Sequence, residues 1–229
     1  MPDTVTTALV EYKANGGVAT GYLAWPNRRG PVPGIVLIQE WWGLDDHIKD
    51  VSRRFAAEDY VVLSPDLFHG KATKEPSEAM KLTQSMDRDH AMKELNGAVA
   101  FLKGQPFSTG KVGVIGYCLG GGLSLATACA NRDVNACVVY YGGNPTPIDA
   151  VRNLNCSLLG VYAEHDERTT AGVAPLKEVL AKAGKKHDIH IYPGTQHAFF
   201  NDTRPEIYSA AAARDAWQKT LAFFKENLA

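Results

Sequence analysis

Residues 111–131, KVGVIGYCLGGGLSLATACAN, decide how the chain reads. An apolar-rich run leads straight into Gly116-Tyr117-Cys118-Leu119-Gly120 and then into a helix-like segment. The expected local structure is a strand, a sharp turn and a helix, with a thiol at the apex. The spacing Gly-x-nucleophile-x-Gly has a steric cause. The apex residue takes a strained backbone angle, and side chains two positions to either side would collide as strand and helix fold together. Gly121 and Gly122 extend the same freedom into the first helical turn, so the helix lies close on the sheet with its free N–H groups toward the thiol. Serine usually stands at the centre of such a turn, and here the residue is Cys118. The alternative for these five residues alone is a helix that merely packs tightly after a strand.

Outward from this turn, strands and helices alternate. Residues 5–12 and 18–25 are β-formers around Asn15-Gly16-Gly17, a hairpin signal placing two antiparallel strands at an edge. The run IVLIQE suits a strand buried on both faces and ends at Glu40-Trp41-Trp42-Gly43. Asp45 or Asp46 caps a helix carrying Ile48, Val51 and Phe55, and YVVLSPDL is the next strand. A loop with a short helix over 69–85 and a helix over 87–103 precede the opening stretch. Strands follow at 135–141, 157–163 and 187–192, with a helix at 173–183 between the last two. A closing helix over 205–228 carries a stripe of Trp217, Leu221, Phe224 and Leu228. The alternation predicts one α/β domain over residues 1–229, with a mostly parallel sheet of roughly eight strands and helices on both faces.

The chain has 229 residues, with 24 basic and 25 acidic side chains and a formal charge of -1. That balance gives no electrostatic case for nucleic acid or an anionic membrane surface and leaves a small molecule as the expected partner. No apolar run reaches the length of about 18 residues that a membrane span requires, and MPDTVTTALVEYK lacks the basic start and apolar stretch of a signal peptide. A cytoplasmic monomer or homodimer is expected. Cys118, Cys129, Cys137 and Cys156 have neither CxxC spacing nor the density of a disulfide scaffold. The last three sit in apolar contexts and read as inert fillers.

Ligands of an open α/β sheet bind beyond the carboxyl ends of its parallel strands. The residues just after successive strands are Glu40-Trp41, Cys118, Glu164-His165-Asp166-Glu167 and Thr195-Gln196-His197. Nucleophile, acid and histidine thus follow one another in the chain order of α/β-hydrolases. A thiol is mostly protonated at neutral pH, so it needs an imidazole to take its proton, and the imidazole needs a carboxylate to fix its tautomer. His197 is the candidate base, with His165 as its rival. Asp166 is the candidate acid, with Glu164 and Glu167 as competitors. The backbone N–H groups of Leu119 and Trp41 are the candidate oxyanion donors, and Trp41 and Trp42 also read as hydrophobic walls.

These residues resemble the dienelactone hydrolase family of α/β-hydrolases, also called carboxymethylenebutenolidases. The matching positions are Gln39-Glu40-x-x-Gly43, Ser64-Pro65-Asp66-Leu67, Gly116 to Gly121, Tyr140-Tyr141-Gly142, Asp166 and His197-Ala198-Phe199. The resemblance implies a triad of Cys118, Asp166 and His197, an oxyanion hole from Leu119 and Trp41, and a Glu40 that interacts with the resting thiol. It also implies Tyr141 as a substrate-lining residue, with core packing as the alternative, and Trp42 and Phe199 are further candidates for substrate contact. Members acting on dienelactones hold the substrate carboxylate with arginines, whereas Asn201 and Lys71 stand where those would be sought, and Arg204 is the remaining cation. Lysine is a poor substitute for a bidentate clamp. The expected reaction is cleavage of an ester or lactone through a thioester on Cys118, with no metal and no organic cofactor. The alternative is a hydrolase-fold protein that does not turn over and uses Cys118 as a redox or acyl sensor. A metal-dependent hydrolase ranks third, because no histidine pair has ligand spacing on one helix.

Overall fold

In the computed structural model, residues 5–14 and 17–229 are described. The Asn15-Gly16 part of the expected hairpin turn lies outside them, whereas the two strands it would join lie within. The strands are β1 (Val5–Ala14), β2 (Gly17–Pro26), β3 (Val32–Ile38), β4 (Val61–Pro65), β5 (Ser108–Tyr117), β6 (Val134–Tyr140), β7 (Ser157–His165) and β8 (His187–Gln196). The helices are α1 (Asp46–Ala57), α2 (Pro76–Ser85), α3 (Arg88–Lys103), α4 (Leu119–Ala130), α5 (Glu167–Thr170), α6 (Val173–Lys182) and α7 (Ala210–Asn227). The eight strands form one mostly parallel sheet in the order β1-β2-β4-β3-β5-β6-β7-β8. This is the α/β-hydrolase arrangement expected from the sequence. Among the described residues no helix is long and apolar enough to cross a membrane.

The chain divides into two compact units, residues 1–113 and 114–229. In the first, β1 pairs antiparallel with β2, β2 antiparallel with β4, and β3 parallel with β4. Ile35, Val36, Leu37 and Ile38 are fully buried, as are Val61, Val62 and Leu63. Each such side chain contributes roughly 1.5–3 kcal/mol on leaving water, which is why β3 and β4 are continuous apolar runs. Asp45, not Asp46, caps α1, its Oδ1 accepting from the Ile48 N–H at 3.0 Å. Asp87 caps α3 in the same way through His90 N–H at 3.0 Å.

In the second unit, β6 and β7 pair in parallel, as do β7 and β8. The ladder between β7 and β8 runs further than the sequence suggested. It passes a shift between Ala163 and His165 and ends on the pair His165 with Gln196. α7 starts at Ala210 rather than near Pro205. The chain makes one turn on the Arg204 carbonyl, which accepts from Ile207 and Tyr208 N–H, and the Ser209 N–H then bonds to the Phe199 carbonyl at 3.0 Å, so the turn is not continued into the helix. The buried face of α7 is also rotated from the expected stripe. Ala213, Ala216, Thr220 and Phe224 face the core, while Trp217 and Leu221 flank it. Thr220 sits on that face because its Oγ1 and the Tyr140 hydroxyl are hydrogen-bonded at 2.8 Å.

Candidate active site

The site in the second unit is built at the ends of β5, β6, β7 and β8. Cys118 follows β5 directly and has φ 55° and ψ -114°, outside the regions an L-residue ordinarily occupies. Its backbone is held from two sides: Cys118 N–H donates to the Tyr140 carbonyl at 3.0 Å, and the Cys118 carbonyl accepts from Gly121 N–H at 3.0 Å. A Cβ on Gly116 would lie 1.9 Å from the Gly120 carbonyl oxygen. That contact explains the first glycine of the motif, because strand and helix cannot close with any side chain there. Gly116→Ala is expected to destabilise the protein by more than the 1–3 kcal/mol typical of overpacking. Urea unfolding would show this as a lowered midpoint at unchanged slope, and a midpoint equal to wild type would contradict the steric account.

Gly121 meets a second glycine that motif spacing alone does not announce. A Cβ on Gly121 would lie 2.6 Å from the Tyr140 carbonyl oxygen, and one on Gly142 would lie 2.3 Å from the Gly121 carbonyl carbon. The start of α4 is therefore pressed onto the chain leaving β6. Leu119 is the first residue of α4, where helix N–H groups have no acceptor within the helix.

Asp166 and His197 directly follow the His165 and Gln196 pair that closes the β7–β8 ladder, so the sheet register brings them together. His197 Nδ1 and Asp166 Oδ2 are 2.5 Å apart. Thr169, on the first turn of α5, donates its hydroxyl to the same Oδ2 at 2.5 Å. Asp166 is buried. Burial alone would raise its pKa, but the hydrogen bonds from His197 and Thr169 prevail and hold it below the ordinary value. The competing acids lie elsewhere: Glu164 is exposed and accepts from Gly194 N–H at 2.8 Å, and Glu167 is exposed at the start of α5. His165 is exposed and faces Glu164 at 3.7 Å.

The His197 ring behaves as the partner of two groups. Burial disfavours its charge, yet its hydrogen bonds and charge interactions with Asp166 and Cys118 outweigh that effect and raise its pKa from 6.5 to about 9. Nε2 is buried without a hydrogen bond of ordinary geometry, and Cys118 is close enough to the ring to affect its titration. A loose nucleophile–base contact is common before substrate binds. Ala198, with φ 64°, turns the chain just after the histidine.

Tyr141, also at positive φ, packs its ring against that of His197 in a tilted arrangement, with centroids 5.0 Å apart. Tyr141 and Phe199 are fully buried, with ring centroids 5.8 Å apart. Asn201 is turned into its own loop, its Oδ1 accepting from Thr203 N–H and Oγ1 at 3.1 and 2.7 Å. Arg204 reaches Glu206, with Nη2 2.9 Å from Oε1.

In the first unit, Glu40 and Trp42 are buried, and the Trp41 and Trp42 rings pack edge to face at 4.9 Å. The chain then turns at Gly43, φ 93°, where a Cβ would lie 2.5 Å from the Lys71 carbonyl oxygen. Lys71 is exposed beside that turn. Burial pushes the Cys129 thiol up to about 11, the Cys156 thiol to about 12 and the Cys137 thiol further still, in keeping with three unreactive cysteines.

Thr169 escaped the sequence reading, and Gly142, although matched there, was given no role. Thr169 was legible in principle as Asp166-x-x-Thr169, a hydroxyl placed to return to the carboxylate in the first helical turn. Gly142 carried a weaker signal, because only the three-dimensional approach of α4 shows what it avoids.

A model of the dienelactone hydrolase family matches residues 19–228. The protein usf of Aquifex pyrophilus is 37% identical over 96% of this chain and 98% of its own length. A Methylorubrum extorquens protein provisionally named carboxymethylenebutenolidase is 33% identical over 95% of this chain and 80% of its own. Among solved structures, a Klebsiella pneumoniae protein provisionally named dienelactone hydrolase superposes with a TM-score of 0.88 at 26% identity, covering 96% of this chain and 98% of the other.

Proposed function

Because the chain belongs to the dienelactone hydrolase family and is a hydrolase of ester bonds, we propose that it cleaves carboxylic esters or lactones with Cys118 as nucleophile, His197 as base and Asp166 as the residue that orients the base. The observation that carries this reading is the Asp166–His197 pair at 2.5 Å, with Nε2 of the same ring buried and the strained Cys118 interacting with it.

The steps follow from these positions. With the thiol's proton held on His197 Nε2, Sγ of Cys118 bonds to the acyl carbon, and Asp166 stabilises the imidazolium. The Leu119 N–H, free of a helical acceptor, faces the developing oxyanion, a donor of the kind worth about 3–4 kcal/mol in the barrier. Collapse breaks the carbon–oxygen bond, and the imidazolium returns its proton to the departing oxygen, leaving a thioester. Water then attacks the thioester, its proton goes to His197, and the thiol is restored. A thiolate expels poor leaving groups less readily than an activated serine, so activated and enol esters are the favoured substrates.

The same geometry argues against a strongly anionic substrate. Asn201 is engaged in its own turn and Arg204 is paired with Glu206, so neither supplies a bidentate carboxylate clamp. A neutral ester is expected to be turned over at least as well as a carboxylate-bearing dienelactone of similar size, read as kcat/KM for each. A strong preference for the anion would overturn this view of specificity and leave the chemical mechanism standing.

A further inference from the structure

We propose that His69, His90 and Glu94 form a binding site for a divalent transition metal of the zinc class, separate from the hydrolytic residues. The sequence offered no helix with two histidines at ligand spacing, and the fold completes a set from two segments. His90 and Glu94 lie one turn apart on α3 and present side chains on the same face, while His69 comes from the loop after β4. Its Nε2 lies 2.9 Å from Glu94 Oε1, and His90 Nε2 lies 3.2 Å from the same oxygen. The three ligand atoms fall within 4.8 Å of one another. A tetrahedral ion with bonds of about 2.0–2.2 Å holds its ligand atoms roughly 3.3 Å apart, so only small side-chain movements separate this cluster from a coordinating one.

The donor set and its surroundings fit such an ion. Two imidazoles and one carboxylate are borderline ligands that suit zinc, copper or nickel better than calcium or magnesium. The Glu94 side chain is only 3% exposed, whereas those of His69 and His90 are 60% and 44% exposed. The buried carboxylate therefore gains from a nearby positive ion, and the exposed side leaves room for water as a fourth ligand. The cluster borders a cleft of about 270 Å³ lined also by Met86 and Asp87.

His69 is placed in advance. Its backbone has φ 52°, and the turn is closed by His69 N–H to the Asp66 carbonyl at 3.2 Å and by Gly70 N–H to Asp66 Oδ2 at 2.6 Å. Two residues later the same loop bridges to Gly43 through Ala72. An ion held here would fasten that loop to α3 and, through the Gly43 bridge, steady the turn after Trp41 and Trp42.

The test titrates zinc chloride into the full chain carrying Cys118→Ala, which removes a competing thiol, with calorimetry for binding and thermal unfolding for stability. One ion per chain, released by a chelator, with a raised melting temperature, is the expected result. His90→Gln and His69→Asn should each weaken binding by about tenfold or more and abolish the thermal shift. Asparagine tolerates positive φ, so the second variant is expected to fold even if the first does not. Absence of stoichiometric binding, or equal affinity in the variants, would overturn the site and leave a hydrogen-bonded cluster only.

Discussion

Replacing Cys118 with alanine is expected to lower kcat/KM on a small aryl ester by about ten-thousand-fold or more, the scale on which loss of a triad nucleophile is felt. The physical reason is that, in the proposed mechanism, every later step depends on the thioester. Without Sγ there is no acyl-enzyme, and His197 with the oxyanion donor can act only on direct attack by water, which lacks the effective concentration of a fixed nucleophile. Intact mass after mixing with ester supplies an independent reading: wild type should show an acyl adduct at Cys118 and the variant none. Equal rates in both proteins would remove Cys118 from the mechanism. A burst of product without turnover in wild type would favour the acyl-sensing alternative.

Asp166→Asn should cost about a thousand-fold or more in kcat/KM with little change in fold, because the amide no longer selects the ring tautomer that turns Nε2 toward the thiol. It also has a signature in stability that a merely structural residue would not give. The folded pKa of His197 is raised from 6.5 to about 9 by Asp166 and Cys118 against the opposing effect of burial. A group raised in this way contributes stability that is full below pH 6.5 and is lost as pH climbs toward 9. The difference corresponds to something on the order of 3 kcal/mol. Wild type should therefore lose stability across that window in urea titrations, and Asp166→Asn should lose distinctly less. Parallel losses in the two proteins would mean that Asp166 does not hold the imidazolium. The lowered pKa of Asp166 itself acts in a separate, acidic range, where its contribution disappears as pH falls through the folded value.

The parts of the fold that the sequence disclosed were those with a local cause. Ile35 to Ile38 announced a strand buried on both sides because nothing polar interrupts the run, and Gly116 announced the sharp turn because only hydrogen fits against Gly120. The choice of Asp166 over Glu164 and Glu167 rested on position after a strand, and the structure separates the three by burial: Asp166 is enclosed and its neighbours are in water. What stayed hidden depended on contacts between distant segments. The length of β8 was underread because Pro193 and Gly194 look like a strand end, yet a shift in the β7–β8 register carries pairing past them to Gln196. Of the expected α7 stripe, Phe224 and Leu228 are buried, whereas Trp217 and Leu221 are only half-buried because Ala213, Ala216 and Thr220, whose hydroxyl meets Tyr140, take the core-facing positions. His69 and His90 lie in separate segments of the sequence, and only the packing of the loop after β4 against α3 shows that they converge on Glu94.

The contact of Gly121 with Gly142 sets a rule for anyone redesigning this protein. A methyl group on either residue strikes main-chain atoms of the other segment, and main chain has no alternative rotamer to retreat into. Substitutions at the two positions are thus not mutually compensating, and enlarging one cannot be rescued by changing the other. In libraries aimed at new leaving groups, residues 121 and 142 are best left invariant. The backbone crossing at these two glycines is the part of the second unit that admits no side chain.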